Sequence, residues 1–206
     1  MITVPSKMMA VVTHGNGGYD MLEYKLVNTP KPINNEVIIK VLAAGINNTE
    51  INTRLGWYSP LVNDGTEELN NKLENGEIAN NGGWNGSTKF PLIQGTDCCG
   101  QIVKLAKNNK QNLIGKRVIV RSCMRINGFG SNEKKWMASD FNGAFAEYVK
   151  VPLSEVFTIN CDWSNEELAT IPCSYGTAEN MLYLSRISKN DIVLITGASG
   201  GVGSAA

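Results

Sequence analysis

Ile192-Val193-Leu194-Ile195-Thr196-Gly197-Ala198-Ser199-Gly200-Gly201-Val202-Gly203 joins an apolar run directly to a glycine-rich turn. Ile192–Thr196 is a continuous apolar run, which predicts a strand buried on both faces. A glycine-rich turn follows directly, and a helix is expected to start within it. Strand, glycine turn and helix start together make the glycines credible as a cradle for a dinucleotide pyrophosphate. Glycine lets the turn reach positive φ and removes the Cβ that would hold a phosphate away. Unpaired N–H groups at the helix start then face the anion. Gly200 and Gly203 fill the second and third glycine places of G-x-G-x-x-G, and Ala198 fills the first. The competing reading, an ordinary tight turn between strand and helix, stays open at this point.

Upstream, Asn190-Asp191 marks a turn. Ser164 and Glu167 have capping-box spacing and open a mainly helical segment to about Ser185. Before residue 161 the pattern is short strands with Gly, Asn and Pro between them: Met8–Thr13, Met21–Val27, Glu36–Ala44, Gln101–Leu105, Arg117–Val120, Ala144–Val151 and Val156–Ile159. Within Glu36–Ala44, Val37, Ile39 and Val41 share one side. Thr49–Leu55 reads as one or two helical turns. The fold class is therefore mainly β with α. A partly open barrel or sandwich is expected over residues 1–160, then a helical bridge and the first strand of an α/β unit over 161–206.

Leu61–Lys89 breaks this rhythm, with seven asparagines and five glycines in a polar stretch. Asp64 and Glu67 have capping-box spacing for a helix over Thr66–Leu73, and the rest reads as a long loop. Its two ends flank the segments around Tyr58 and Thr96. It is either a lid with Trp57 and Trp84 as its apolar contacts or a solvated excursion.

Composition narrows the partners. With 19 basic and 19 acidic residues the net charge is zero, which gives no electrostatic reason to expect nucleic acid or an anionic membrane. Nothing approaches the roughly 20 apolar residues of a membrane span, and the N-terminus lacks the pattern of a secretion signal. Five irregularly spaced cysteines are unlike a disulfide framework and fit reduced thiols in the cytoplasm. The single histidine, His14, lies in the turn-like run His14–Gly18 and reads as a solvated turn residue. Histidine-centred acid–base chemistry has almost no raw material here.

Six segments, in order, resemble the medium-chain dehydrogenase/reductase superfamily: Glu36–Asn47, Pro91–Gly100, Gly115–Val118, Gly143–Val149, Pro172–Ala178 and the glycine loop. Only Leu61–Lys89 and Met124–Asp140 fall clearly outside the likeness. The resemblance implies a GroES-like β domain followed by a Rossmann domain, with catalysis in the cleft between them and most of the second domain beyond Ala206. The residue that chooses between NAD and NADP would lie there too. By itself this stretch is then expected to bind the cofactor poorly and to be inactive. At the positions where zinc alcohol dehydrogenases carry their ligands stand Asn47, Thr96 and Cys173. Two of these are poor zinc ligands, so no zinc is expected, and Cys173 reads as a small buried hydrophobe. An unorthodox site using Asp97, Cys98 and Cys99 stays open.

Gly45–Tyr58 is similar to zinc-independent quinone oxidoreductases, although a tyrosine of that group is Asn52 here. The implied activity is hydride transfer from NADPH, with NADH possible, to a small-molecule quinone or enone. Asn47 and Tyr58, with Thr96 and Asp97 beside them, are the catalytic candidates. Asn47, Thr177, Ala198, Ser199, Gly200, Gly201, Val202 and Gly203 are the cofactor-binding ones. Asn47 equally reads as a loop cap, Tyr58 as an amphipathic boundary residue, and Arg54 as a surface charge. An alcohol dehydrogenase with an altered metal site and a non-catalytic NADPH- or RNA-binding protein are the alternatives. The full-length protein is expected to be a homodimer or homotetramer.

Overall fold

A computed structural model describes residues 3–77, 80–106, 111–128 and 131–206. Two residues of the insert, 78 and 79, lie outside them. The strands are β1 (Lys7–Thr13), β2 (Leu22–Asn28), β3 (Glu36–Ala43), β4 (Leu92–Ile93), β5 (Cys99–Leu105), β6 (Arg117–Val120), β7 (Cys123–Met124), β8 (Lys135–Trp136), β9 (Tyr148–Pro152) and β10 (Val156–Thr158). The helices are α1 (Asn48–Leu55), α2 (Thr66–Glu74), α3 (Asn165–Leu168), α4 (Ile171–Leu184) and α5 (Gly201–Ala205).

An antiparallel five-stranded sheet, in the order β10-β6-β5-β3-β9, is the frame. A smaller sheet, β2-β1-β4, lies against it, and β7 and β8 form a two-stranded ribbon. Side chains alternate along a strand, so Val37 and Ile39 enter one core with Ile102, Val118, Val120 and Val149, and Val41 packs on its border. Ile38 points the other way and is equally buried, in a second core with Met8, Val12, Ile93 and Tyr148. β3 is thus covered on both faces.

Several expectations need correction. The strand expected at Ala144 begins only at Tyr148. The residues before it cross between the sheets, with Val11 N–H donating to Phe145 O and Glu147 N–H to Met9 O. The Asp64–Glu67 box does not form. α2 is capped by Gly65, and the Asp64 carboxylate pairs instead with Lys72 Nζ at 2.8 Å. Ile192–Thr196 joins no sheet, and Ile192 and Leu194 stand exposed. A strand buried on both faces needs neighbouring strands and covering helices, and the described residues supply neither beside this run. The Ser164–Glu167 box does form, with both reciprocal hydrogen bonds made.

Candidate active site

Three segments meet at one end of the large sheet: the turn from β3 into α1, the β4–β5 loop and the start of α4. The closeness is backbone-deep. A Cβ added at Gly45 would lie 2.4 Å from Ala169 O and 3.0 Å from Asp97 Cβ, so a side chain there would push the segments apart.

Glu50 is the clamp. Its side chain is buried on the first turn of α1, and Asn47 N–H donates to Oε2 at 2.7 Å, the reciprocal arm of an N-terminal cap. Thr96 N–H donates to Oε1 at 2.7 Å, and the Thr96 hydroxyl donates to the same oxygen. Gln94 Nε2 adds a bond to Glu50 O at 2.9 Å. A buried carboxylate is tolerable only when its oxygens are satisfied, and here it ties α1 to the β4–β5 loop. The run His14–Gly18 closes the other end of α1: Asn16 Nδ2 donates to Thr53 O at 2.8 Å, and Gly17 N–H donates to Arg54 O at 2.9 Å. Arg54 is not the surface charge expected. It is 4% exposed, donates to Gly17 O at 2.5 Å and lies 4.6 Å from the Tyr19 ring centroid.

Asp97 is the centre, at 1% exposure. Its Oδ2 accepts from Asn47 Nδ2 at 2.9 Å and its Oδ1 from Cys173 N–H at 2.7 Å. Burial pushes its pKa up to about 6, against the pull of those two bonds. The second bond caps α4. Thr170, before the helix, makes no side-chain cap, and Asp97 satisfies one of the N–H groups that a first turn leaves unpaired. Cys173 is half-buried, and burial first, then the nearby Asp97 and Glu50 charges, pushes its thiol up to about 12. Asn47 therefore stands both as a helix cap and as a partner of Asp97. Its second amide N–H has no protein acceptor among the described residues.

Tyr58 follows the left-handed Gly56 that ends α1. Burial raises its phenol pKa, against the pull of a hydrogen bond with Asn52 of α1. Asn52, where the family likeness has a tyrosine, accepts instead from Thr66 Oγ1 of the insert at 3.1 Å. Trp84 lies over Tyr58 with centroids 4.6 Å apart, and Trp136 stacks on Trp84 at 4.8 Å and 15°. Trp57 meets Tyr58 edge-on at 5.5 Å, and its indole N–H donates to Asp64 O.

The glycine loop reaches this centre through α4. Gly197 takes φ +64°, one residue ahead of Ala198, which explains how alanine is tolerated in the first glycine place. A Cβ on Gly203 would lie 2.3 Å from Gly197 O, so that glycine is obligatory, whereas one on Gly200 would make ordinary contact. A Cβ on Gly201 would meet Ser174 Oγ at 2.6 Å, so the loop is seated on α4 one turn before the half-buried Thr177. Ala198, Ser199, Gly200 and Gly201 are exposed, and Val202 and Gly203 partly so.

Of the sequence candidates, then, Asn47, Thr96 and Asp97 come together around Glu50 and Cys173, Tyr58 stands past the end of α1 with Asn52 as its partner, and Thr177 and the loop lie along α4. His14 stays apart, its Nε2 2.7 Å from Glu23 Oε2 on the exposed side of the small sheet. Glu50 and Trp136 were missed. The Asn47-x-x-Glu50 spacing was the available signal for the first; Trp136 carries none, because its partners are remote in sequence. The metal set built on Asp97, Cys98 and Cys99 fails on strand geometry. Cys98 points into the main core and Cys99 toward Leu168 and Ala169. Among the described residues no group of three His, Cys, Asp or Glu side chains is placed to hold a metal, and no helix is long and apolar enough to cross a membrane. A cavity of about 360 Å³ lined by Met8, Val27, Ile93 and Tyr148 shares no residue with this cluster.

Comparison with known proteins agrees with this architecture. Residues 33–160 match the alcohol dehydrogenase GroES-like domain. The chain is 28% identical over 205 residues to a mitochondrial NAD(P)H oxidoreductase of Dictyostelium discoideum, covering 95% of this chain and 47% of that protein. It is 25% identical over 206 residues to the acryloyl-coenzyme A reductase of Metallosphaera sedula, covering 95% and 53%. A crystal structure of a Sinorhizobium meliloti protein provisionally described as an alcohol dehydrogenase superimposes with a TM-score of 0.80 at 34% identity, covering 98% of this chain and 54% of that one. The chain spans about half the length of the curated relatives it matches.

Proposed function

The chain belongs to the medium-chain dehydrogenase/reductase superfamily through its alcohol dehydrogenase GroES-like domain, and on that premise we propose that it serves the NAD(P)H-dependent reduction of a quinone, enone or related carbonyl without zinc. The observation that carries the reading is the Asn47–Asp97–Cys173 lock. At the three positions where a zinc enzyme holds its ion, this chain has an amide committed to Asp97, a hydroxyl committed to Glu50 and one thiol held protonated by burial. That donor set does not fit a catalytic zinc, which takes three thiolate, imidazole or carboxylate ligands and an open place.

The chain's own groups suit a direct reduction. Gly200, Gly201, Val202 and Gly203, with Ala198 and Ser199, would hold the cofactor's pyrophosphate against α4, and Thr177 would border its nicotinamide. Gly203 leaves the turn free of a Cβ. When bound, the reduced nicotinamide supplies the hydride. Asn47 has an amide N–H left to donate to a carbonyl oxygen as negative charge grows there. The Tyr58 phenol is a second donor, and burial keeps it protonated. Asp97 orients the Asn47 amide, and Thr96 holds the loop that carries Asp97. NADPH is the favoured cofactor and NADH the other. The reading extends to a cytoplasmic homodimer or homotetramer, supported by five unpaired cysteines and by family likeness.

The test is a screen of the full-length protein with both cofactors against 1,4-naphthoquinone, an enone and a primary alcohol, beside metal analysis of the same preparation. The reading expects naphthoquinone or enone reduction with no stoichiometric zinc. One zinc per chain that is lost on Cys173→Ala, together with alcohol oxidation, would replace it by the alcohol dehydrogenase reading. Cofactor binding with no turnover would replace it by a non-catalytic role.

A further inference from the structure

The two stretches outside the family likeness, Leu61–Lys89 and Met124–Asp140, are 34 residues apart in the chain and converge on one side of Tyr58. Trp84 comes from the first and Trp136 from the second, and Tyr58, Trp84 and Trp136 form a continuous aromatic column. The column is strapped at its outer end. Asn85 Nδ2 lies 2.8 Å from Lys134 O and 2.7 Å from Asp140 Oδ2, and Asp140 Oδ2 also accepts Trp136 N–H at 2.7 Å. The strand turn that presents Trp84 is closed from behind. Asn81 bonds Thr88 in both directions, at 2.8 and 3.0 Å, and a Cβ on Gly82 would collide with the Ser59 backbone at 2.3 Å. The turn that carries Trp84 is thus held from both sides.

We propose that Trp84 is a specificity-determining residue: its open edge, fixed between Tyr58 and Trp136, walls the acceptor side of the site and selects flat, conjugated, carbonyl-bearing rings. The inference rests on the reductase reading above for its substrate class. Trp84 is 44% exposed although both faces of its indole are covered, by Tyr58 on one side and Trp136 on the other. What it offers a ligand is its rim. An aromatic rim is electropositive, so it attracts the carbonyl oxygen of a flat, conjugated ring that meets it in line. A saturated alcohol presents a hydroxyl oxygen but no rigid plane to hold that oxygen against the rim. Trp136 acts through Trp84 and is a positioning residue.

The experiment is calorimetric titration of the 206-residue chain with 2,3-dimethyl-1,4-naphthoquinone, whose substituted ring carbons resist addition of the chain's free thiols, and it needs neither turnover nor cofactor. Saturable binding is expected. Trp84→Leu, which fills the space without an aromatic rim, should weaken it about tenfold, the size of one aromatic contact. Trp84→Phe should recover it to within about threefold, and Trp136→Leu should fall between them. Trp163→Phe, at an exposed tryptophan remote from the column, should leave it unchanged. Near-ultraviolet circular dichroism and the thermal midpoint check that each variant is folded, and Asn85→Ala loosens the strap without altering a ring should Trp84→Leu not fold. No binding, equal affinity in Trp84→Leu and the parent, or equal loss in Trp84→Leu and Trp84→Phe would overturn the proposal. The two readings part cleanly. Trp84-dependent binding without reduction keeps this inference and sinks the reductase; reduction whose KM ignores Trp84→Leu does the reverse.

Discussion

Asp97 shows how one buried side chain carries a site. Ordinarily a carboxylate accepting two N–H bonds is held below its usual pKa, yet burial outweighs them here and raises Asp97 to about 6. The sign of the linkage follows. Between the ordinary value of 3.8 and about 6 the folded chain holds a proton that the unfolded chain has lost, so this group's contribution is full at low pH and declines as pH rises through 6. Against Asp97→Asn, the parent should lose stability progressively from about pH 4 to pH 7, by at most about 3 kcal/mol. Urea midpoints at half-unit pH intervals measure this, and a difference that is flat with pH would be contrary to it. Glu50 invites a second substitution. Glu50→Gln turns one acceptor oxygen into a donor that faces either Asn47 N–H or the two Thr96 donors. It should cost about 1–3 kcal/mol, the penalty for a buried mismatch, read by the same denaturation.

Elements obeyed their local rules where no competing partner intervened. The Ser164–Glu167 box is such a case, with Ser164 Oγ accepting Glu167 N–H at 3.1 Å and Glu167 Oε2 accepting Ser164 N–H at 2.7 Å. Ser164→Ala is therefore expected to cost about 1 kcal/mol. Asp64→Ala should have the smaller effect on the thermal midpoint, because Asp64 caps nothing and forms a partly exposed ion pair. A larger loss from Asp64 than from Ser164 would mean that the α2 start has been misread. The same spacing thus produced a cap in one place and an ion pair in the other; Lys72, two turns on, outcompeted the backbone for the carboxylate.

At the scale of the molecule, the two cores share β3. A half-buried strand would leave Ile38 in solvent, but the β2-β1-β4 sheet covers it. Ile38→Ala and Ile39→Ala should each cost about 2–5 kcal/mol by opening a cavity. A small effect at Ile38 would show that the lesser sheet is only loosely docked. The exposed run Ile192–Ile195 marks the other side of this principle. Hydrophobicity alone makes no strand where no neighbouring backbone offers hydrogen bonds.

The β-rich class, most strand positions, the glycine loop, the family likeness and the candidacy of Asn47, Thr96, Asp97 and Tyr58 were legible in the order of residues. Each depends on periodicity, glycine chemistry or short ordered motifs, signals that survive in one dimension. Tertiary structure alone decided that Arg54 is buried, that Asp97 caps α4, that Cys98 and Cys99 face opposite cores, and that Trp136 stands behind Trp84. These rest on contacts between residues far apart in the chain. Such contacts follow from how the sheets and loops meet in space, and no local pattern encodes that meeting.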